Sequence, residues 1–331
     1  MKKFQKRALA LASVAMLVTG LSSQAHAGAI AYSHLNIYDL TISDGTTTID
    51  LSDIANGLLG LSGGNTFNNT ASLNSVAGIA GNIISATLLP TNVPLTCQGA
   101  CGMGEDNFSR QVVGTHFARS DSSLSGAIIT GIPNANIPAN AHTVAEVQLN
   151  NTDAGSASSI IGTTTGFTFV AEGASLLQFD FKATLDLYAE LHTQALTGSA
   201  SADSAFNIVV TAAEGGSSTA VNDIFSWTPD GIDGNNGSLG VMNETDGCDL
   251  TEGAATTLAG TVSTHNCSES IYSAQTIQLV DGIQYTIDIK HTSLADASAV
   301  KPNPVPEPAS LALFGLSLLG IGAARRLKNN T

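Results

Sequence analysis

The chain has 331 residues and a formal net charge of −15, yet only 12% of its residues are charged and 43% are hydrophobic. Disordered chains combine low hydrophobicity with high net charge, so this composition predicts a folded protein with a substantial core. Residues 28–305 include 26 acidic and five basic residues, a net charge of −21. Such an acidic segment is repelled by phosphate backbones, which excludes binding to nucleic acid.

Residues 1–27 have the organisation of a secretory signal peptide. Four basic residues open the chain, an uncharged apolar stretch follows over 8–21, and Ala25 and Ala27 form the small-x-small pattern that signal peptidase cleaves. The apolar stretch is shorter than the ~20 residues that span a membrane, which disfavours a permanent anchor. We therefore expect signal peptidase to release a mature protein that begins near Gly28.

The body of the protein, residues 28–301, is dominated by the alternation of apolar and polar residues that is typical of half-buried β-strands. The clearest example is 177–192, where every odd position is apolar and every even position is polar. Weaker strands of the same pattern are predicted over 38–42, 48–51, 145–149, 166–170, 206–211 and 224–227.

Two further stretches of the body predict specific local structures. Residues 277–289 alternate around Asp281-Gly282, a dipeptide typical of tight turns, and predict a β-hairpin. Residues 73–88 have apolar residues near a 3.6-residue repeat and predict a helix that ends before Pro90. Many strands without long helices between them predict an all-β fold, an antiparallel β-sandwich of jelly-roll-like or immunoglobulin-like type.

Four cysteines follow the signal peptide, a close pair (Cys97 and Cys101) and a wider pair (Cys248 and Cys267). In an oxidising compartment an even number of cysteines predicts disulfides, and proximity in sequence favours pairing within each pair, although three connectivities are possible. A structural zinc site is the alternative, but no motif with zinc-ligand spacing accompanies these cysteines.

The catalytic motifs of the body are incomplete. Residues 60–64 fit the Gly-x-Ser-x-Gly pattern around Ser62, but they lack the strand and the helix that a nucleophile elbow requires. No phosphate-binding glycine loop is present, and the histidines are scattered. His192 and His291 are expected at the surface. We therefore predict no enzyme activity, and a hydrolase is the least favoured function.

One glycine-rich loop of the body is acidic. Asp233, Asn235 and Glu244 stand at positions one, three and twelve of a calcium-binding loop, with Asp230 nearby, but Ser238 replaces the glycine required at position six. A helix-loop-helix calcium site is therefore not predicted. A looser Ca²⁺ site of carboxylate and carbonyl oxygens stays open, beside the alternative that these acids are solvated.

The chain ends on a short apolar segment with basic residues behind it. Residues 309–324 carry no charge and are followed by Arg325 and Arg326 in the tail, 325–331. As a helix, the segment would measure about 24 Å, less than the ~30 Å hydrocarbon core of a membrane. Because the signal peptide directs the body outwards, the arginines should stay in the cytoplasm and hold the helix in the membrane as a temporary stop-transfer segment.

Just before this helix lies Pro306-Glu307-Pro308, in a linker over 302–308. The two prolines exclude a helix there and leave the chain extended and open to a protease. The motif, the apolar helix and the basic end resemble the PEP-CTERM sorting signal of Gram-negative bacteria. The resemblance implies recognition at Pro-Glu-Pro by a membrane-embedded exosortase, which removes the helix on the way to the cell surface. An ordinary C-terminal anchor is the alternative.

Two segments of the body resemble motifs of one PEP-CTERM subfamily, the EDSAMP group. Glu105-Asp106-Asn107-Phe108 shares the leading Glu-Asp of its first motif, and Phe117-Ala118-Arg119-Ser120-Asp121 resembles the segment that follows that motif. The subfamily brings no assigned chemistry with it.

Together these features predict an exported, non-enzymatic protein of the cell surface or extracellular matrix, associated with exopolysaccharide or biofilm. The alternative is a carbohydrate-binding β-sandwich, with or without calcium, that uses exposed aromatic residues such as Tyr188, Trp227 and Tyr272.

Overall fold

The computed structural model describes residues 28–43, 62–73, 76–77, 81–85, 91–111, 116–126, 138–150, 153–168, 176–193, 195, 197–213, 221–233, 239–280 and 283–300. Within these ranges the chain forms fifteen β-strands and no helix. The strands are β1 (Ala29–Ser43), β2 (Ser62–Leu73), β3 (Val76–Ala77), β4 (Gly81–Ser85), β5 (Thr91–Gly99), β6 (Phe117–Ser125), β7 (Ala139–Leu149), β8 (Asp153–Thr168), β9 (Gln178–Leu191), β10 (Thr197–Ala213), β11 (Val221–Trp227), β12 (Val241–Asp246), β13 (Gly253–Thr256), β14 (Thr261–Thr276) and β15 (Gln284–Val300).

The strands form two antiparallel sheets that face each other. The first sheet has the order β12-β14-β9-β1-β7-β6-β5, and the second has the order β11-β10-β15-β8-β2-β3, with β13 paired to β10 and β4 paired to β2. Apolar side chains from the inner faces of both sheets form one large core, which includes Leu35, Phe179, Phe206 and Ile289. The predicted antiparallel β-sandwich is confirmed.

Strand β9 shows how the sequence pattern produces this core. It lies between β1 and β14, and every second side chain from Phe179 to Leu191 is buried while the intervening polar side chains keep some exposure. The strand predicted over 177–192 is therefore confirmed. The weaker predictions are confirmed over 38–42 in β1, 145–149 in β7, 166–168 in β8, 206–211 in β10 and 224–227 in β11, whereas 48–51 lies outside the described residues.

The helix predicted over 73–88 is wrong for the residues that the structure describes. Leu73 is the last residue of β2, and residues 76–77 and 81–85 form the short strands β3 and β4 along its edge. Glycines lower the helix propensity of this segment, and the open edge of β2 supplies partners for its backbone hydrogen bonds.

The hairpin predicted around Asp281-Gly282 is also wrong. Strand β14 ends at Thr276 in the first sheet and β15 begins at Gln284 in the second, so the connection crosses the sandwich instead of turning back along one sheet. The alternating pattern did not distinguish a hairpin from a crossing, because both flanking strands turn apolar side chains towards the same core. A strand pair within one sheet and a crossing between facing sheets produce the same sequence pattern.

A cluster of aromatic rings fills the core near β11 and β14. The ring of Phe181 lies 4.9 Å from that of Tyr272 and 5.5 Å from that of Trp227, centroid to centroid. Trp227 and Tyr272 have 0% exposure. The expectation that these two residues form an exposed aromatic surface is therefore wrong, because their strands turn them inwards.

His291 is buried in the core instead of exposed, so the predicted surface position is wrong. It shares the odd parity of Ile287 and Ile289, which face the first sheet, and its exposure is 2%. Its Nε2 lies 3.0 Å from Thr143 Oγ1, which also lies 2.8 Å from the hydroxyl of Ser293. A polar seam thus crosses the centre of the core. His192, whose side chain is 38% exposed, lies nearer the surface, as expected.

The buried imidazole makes acid sensitivity testable. Burial, followed by the nearby His142 and His34, lowers the pKa of His291 from 6.5 to about 3. Below pH 6.5 the unfolded chain therefore binds a proton at this histidine that the folded protein does not bind. The free energy of unfolding consequently falls as the pH falls. Between pH 6 and pH 4 we expect the free energy of unfolding to fall less steeply in His291→Gln than in the natural protein, by about 1.4 kcal/mol per pH unit.

Urea unfolding at a series of pH values measures this slope. The variant His192→Gln makes the same substitution at a far less buried imidazole and controls for the substitution itself. Equal slopes for His291→Gln and the natural protein would contradict a neutral, buried His291.

Candidate functional site

A strap of chain, residues 100–111, lies across the outer face of the first sheet. It begins beside the Cys97–Cys101 disulfide at the end of β5 and passes over β6, β7 and β1. The strand register aligns Arg119, Glu146 and Tyr32 in one row on that face, since Arg119 is opposite Glu146 and Glu146 is opposite Tyr32. The polar residues of this row pair with groups that the strap supplies.

A buried ion pair holds the strap to the sheet. Arg119 Nε donates to Glu146 Oε2 at 2.8 Å, and both side chains have 0% exposure. The same guanidinium donates to the carbonyl oxygens of Asn107 at 2.7 Å and Ser109 at 2.5 Å. A buried charge is costly unless it is paired and fully hydrogen-bonded. The strap carbonyls supply the hydrogen-bond acceptors that the Arg119 guanidinium needs beyond Glu146.

The other partner of the pair is satisfied in the same way. Glu146 Oε1 accepts hydrogen bonds from the backbone N–H of Gln111 at 3.0 Å and from Gln148 Nε2 at 2.9 Å. Gln148 Nε2 also donates to the carbonyl of Gln111 at 2.8 Å. The Glu146 carboxylate on β7 therefore holds the end of the strap at Gln111, while the Arg119 guanidinium on β6 holds its middle.

Asp121 makes a third attachment, two residues after Arg119 on the same face of β6. Its Oδ2 accepts from the N–H of Asp106 at 2.9 Å, and its Oδ1 accepts from the N–H of Ser122 at 2.9 Å. Burial raises the pKa of Asp121 to about 6, against the opposing effect of these hydrogen bonds. Elsewhere in the strap, Glu105 accepts from the N–H of Leu95.

These contacts join the two segments that resemble EDSAMP motifs. The first segment, 105–108, contributes backbone groups, and the second, 117–121, contributes the side chains of Arg119 and Asp121 that bind them. The two segments are one structural unit, although they are separate in the sequence.

A groove of about 730 Å³ opens between the strap and the sheet. Phe108 forms part of its wall, with its ring 4.9 Å from that of His142 and 6.0 Å from that of His34. The hydroxyl of Tyr32 donates to the Phe108 carbonyl at 2.7 Å, which anchors this part of the strap. The lining residues are Tyr32, His34, Glu105, Asp106, Asn107, Phe108, Ser109, Arg110, His142 and Asp186.

The groove is lined by two imidazoles together with carboxylate and guanidinium groups. Burial lowers the pKa of His34 to about 4 and also lowers that of His142, so both imidazoles are neutral at pH 7. Among the described residues, His34 Nε2 and His142 Nδ1 have no hydrogen-bond partner. Carboxylates such as Asp186 add acceptors, and the guanidinium of Arg110 lies 3.8 Å from the centroid of the Tyr188 ring.

Both predicted disulfides are present. Cys97 pairs with Cys101 and Cys248 pairs with Cys267, with Cα–Cα distances of 6.3 and 6.0 Å. His265 Nε2 lies 3.6 Å from Cys267 Sγ and 3.9 Å from Cys248 Sγ, so this imidazole borders the second disulfide. The three ligand atoms could hold a metal ion by their positions, but the bonded sulfurs are not the thiolates that metals bind.

Three of the four predicted calcium ligands lie in one acidic cluster. Asp230 and Asp233 follow β11, Glu244 lies in β12, and Asp246 is a member that the sequence reasoning missed. The fourth predicted ligand, Asn235, lies outside the described residues. Burial, followed by the nearby carboxylates of Glu244 and Asp230, raises the pKa of Asp246 to about 7. The signal that could have found Asp246 is its spacing, since it lies two residues after Glu244 and shares its side of the strand.

The remaining predicted site residues divide into two groups. Ser62 begins strand β2 and pairs with Gly166, so no strand-to-helix turn follows it and the nucleophile elbow does not form. The processing residues Ala25, Ala27, Pro306, Glu307, Pro308, Arg325 and Arg326 lie outside the described residues. Among the residues that are described, no helix has the length and apolar character needed to cross a membrane.

Sequence reasoning missed Glu146 and Tyr32 as parts of the strap site. Glu146 and Gln148 lie at the polar positions of the predicted strand 145–149. Alternation alone assigns such positions to the outer face of a sheet, and it carries no signal that a distant segment buries them.

Comparison with protein families gives one match. Residues 304–326 match the family described as the PEP-CTERM protein-sorting motif, which includes Pro306-Glu307-Pro308 and ends at Arg326. Neither the curated proteins nor the solved structures compared with the chain gave a match. The match concerns the sorting signal and assigns no family to the sandwich.

The strap attachment predicts a large effect of breaking its ion pair. Arg119→Met leaves the Glu146 carboxylate buried without its partner, and we expect a loss of about 3–5 kcal/mol in the free energy of unfolding. Arg119→Met combined with Glu146→Leu should restore more than half of that loss, because neither charge then remains buried. Urea unfolding measures both variants.

The exposed pair Lys182–Asp39 provides a matched control. Its side chains are 39% and 50% exposed, so Lys182→Met should lower the free energy of unfolding far less than Arg119→Met does. A loss for Arg119→Met as small as that of the control would show that the buried pair does not hold the strap.

Proposed function

Because this chain carries a PEP-CTERM sorting signal and is therefore an exported exosortase substrate of a Gram-negative bacterium, we propose that it is a non-enzymatic protein of the cell surface or extracellular matrix. The observation that carries the proposal is the sorting motif at 304–326. We propose further that the released protein is retained among exopolysaccharides of a biofilm.

The build of the sandwich supports a role outside the cell. Two disulfides close local loops in it, as is usual for proteins of oxidising compartments. Its first described residue, Gly28, already accepts a hydrogen bond from the N–H of His192 at 2.9 Å, and its last strand ends at Val300. The described strands thus begin after the predicted signal cleavage site and end before the Pro-Glu-Pro motif, so the proposed cleavages would shorten none of them.

Processing predicts defined ends for the mature protein. We expect mass spectrometry of the protein isolated from cells to find an N-terminus at Gly28 and a C-terminus upstream of residue 309, because the Pro-Glu-Pro linker is the accessible cleavage site. Deletion of 306–331 should change where the protein accumulates.

Deletion of 329–331 alone removes residues behind the basic segment and should leave localisation unchanged. A mature protein that still ends at Thr331, or an unchanged distribution after deletion of 306–331, would count against exosortase processing.

A second candidate function, carbohydrate binding, is favoured by the groove under the strap. Sugar rings pack their C–H faces on aromatic rings and offer hydroxyl groups to polar side chains. Phe108 supplies such a ring, and the exposed groove residues Glu105, Asp106 and Arg110 supply hydrogen-bonding groups. Of the aromatic residues predicted for this role, Trp227 and Tyr272 are buried, and Tyr188 is covered by Arg110.

Binding to the cell's own exopolysaccharide tests this candidate. Phe108→Ala removes the ring but keeps the carbonyl that Tyr32 binds, and we expect about two- to tenfold weaker binding in a saturation pull-down. Tyr38→Ala, which removes another aromatic ring from the outer side of β1, should bind as the natural protein does. Equal binding by Phe108→Ala would exclude the groove, and the sorted matrix protein would remain the proposal.

A further inference from the structure

An imidazole lies beside the Cys248–Cys267 disulfide. Cys248 lies in the turn between β12 and β13, whereas His265 and Cys267 lie two residues apart on β14. The strand register places His265 opposite Leu187 and Cys267 opposite Leu185 on β9, and both leucines are buried in the core. His265 and Cys267 therefore point to the same side of the sheet, and we call Cys248, His265 and Cys267 the Cys–His cluster.

The side chains of the Cys–His cluster converge on one small volume. Their two Sγ atoms and the His265 Nε2 all lie within 4.8 Å of one another. His265 Nε2 lies 3.6 Å from Cys267 Sγ and 3.9 Å from Cys248 Sγ. Among the residues that the structure describes, this is the one group of three His, Cys, Asp or Glu side chains whose ligand atoms are close enough to share a metal ion.

The distances from the imidazole to the sulfurs are close to those of a tetrahedral zinc site. With Zn–S bonds of ~2.3 Å and Zn–N bonds of ~2.0–2.1 Å, a tetrahedral angle places a sulfur and a nitrogen ligand about 3.5 Å apart. The disulfide itself does not require an imidazole nitrogen at this position, because its sulfurs are at most weak hydrogen-bond acceptors. Only the two sulfurs have to move, from their covalent bond to a separation of about 3.8 Å.

We propose that the dithiol form of the Cys–His cluster binds Zn²⁺, with Cys248 Sγ, Cys267 Sγ and His265 Nε2 as ligands and water in the fourth position. Thiolate and imidazole ligands favour Zn²⁺ over hard cations such as Ca²⁺. Because the chain is synthesised with free thiols, this form precedes the disulfide.

Zn²⁺ and the disulfide exclude each other chemically. Binding of the metal releases the two thiol protons and forms two Zn–S bonds and one Zn–N bond. Formation of the disulfide transfers two electrons from the sulfurs to an oxidant, such as the disulfide of an oxidising protein, and releases Zn²⁺. The site is therefore closed either by the metal or by the covalent bond.

The surrounding chain holds the Cys–His cluster by contacts that do not involve sulfur. The hydroxyl of Tyr272 donates to the carbonyl of Cys248 at 3.1 Å, and the N–H of Leu250 donates to the carbonyl of Pro229 at 3.1 Å. Strand β14 is paired with β9 on both sides of His265. Opening of the disulfide should therefore leave the three ligands close together. This inference does not depend on the proposed function.

Zinc titration of the reduced protein tests the proposal. A phosphine reductant converts each disulfide to two thiols and is itself oxidised to the phosphine oxide, after which it is removed without air. Calorimetric titration with Zn²⁺ alone should then show one ion per chain, with a dissociation constant below about 1 µM near neutral pH, a weaker affinity than that of the tightest four-ligand sites. The oxidised protein should show no such binding.

Variants of the ligands and matched controls test the assignment. His265→Gln removes the nitrogen ligand, and we expect the dissociation constant to rise at least tenfold, since loss even of a group that orients a metal ligand costs about 10- to 100-fold. His192→Gln makes the same substitution outside the Cys–His cluster and should keep the natural affinity.

The two cysteine pairs provide a second comparison. Cys97→Ser combined with Cys101→Ser leaves the thiols of the Cys–His cluster and should still bind Zn²⁺. Cys248→Ser combined with Cys267→Ser leaves the other pair, which has no third ligand beside it among the described residues, and should lose the binding.

Circular dichroism keeps the test decisive if reduction unfolds the chain. The free energy of zinc binding then contributes to folding, so Zn²⁺ should restore the β-sheet signal of the natural protein but not that of His265→Gln. Absence of zinc binding in the reduced natural protein would overturn the proposal. Equal affinity in His265→Gln, or in the variant without Cys248 and Cys267, would also overturn it.

Discussion

The packing of two apolar sheet faces against each other is the constraint on which the rest of this structure depends. Strand β9 contributes every second side chain from Phe179 to Leu191 to that packing, and β15 contributes its own odd positions from the opposite sheet. Both inner faces are committed to the core, apart from the polar seam of Thr143, His291 and Ser293, so most polar residues of the central strands lie on the outer faces. The core therefore determines where any site of this protein can be built.

The outer face of the first sheet carries charged residues that are buried outside the apolar core. Arg119 and Glu146 are fully buried there although they lie outside the apolar core, because the strap covers them and supplies carbonyl and N–H groups for their remaining hydrogen bonds. The ion pair and the strap depend on each other. Burial without the strap would leave the charges unsatisfied, and the hydrogen bonds of these charges hold the strap on the sheet. The groove forms where the strap, held by these hydrogen bonds, crosses the sheet.

The proposed sorting and ligand-binding roles belong to different parts of the chain, because they depend on different physical features. Sorting needs only a linear signal, since a membrane enzyme reads an extended Pro-Glu-Pro motif before a short apolar helix, and that signal matches over 304–326. Ligand binding needs convergent side chains, and side chains of this kind line the groove under the strap.

Local information in the sequence determined the strands with strict alternation, the disulfides between neighbouring cysteines and the sorting signal, because each of these depends on residues close together in the chain. Only the tertiary structure decided that the chain passes from β14 in the first sheet to β15 in the second. It also brought Arg119 to Glu146, 27 residues away, and Asp246 to Asp230. Those outcomes depend on which strands become neighbours. An alternating sequence indicates that one face of a strand is buried, but it does not identify the surface that buries this face.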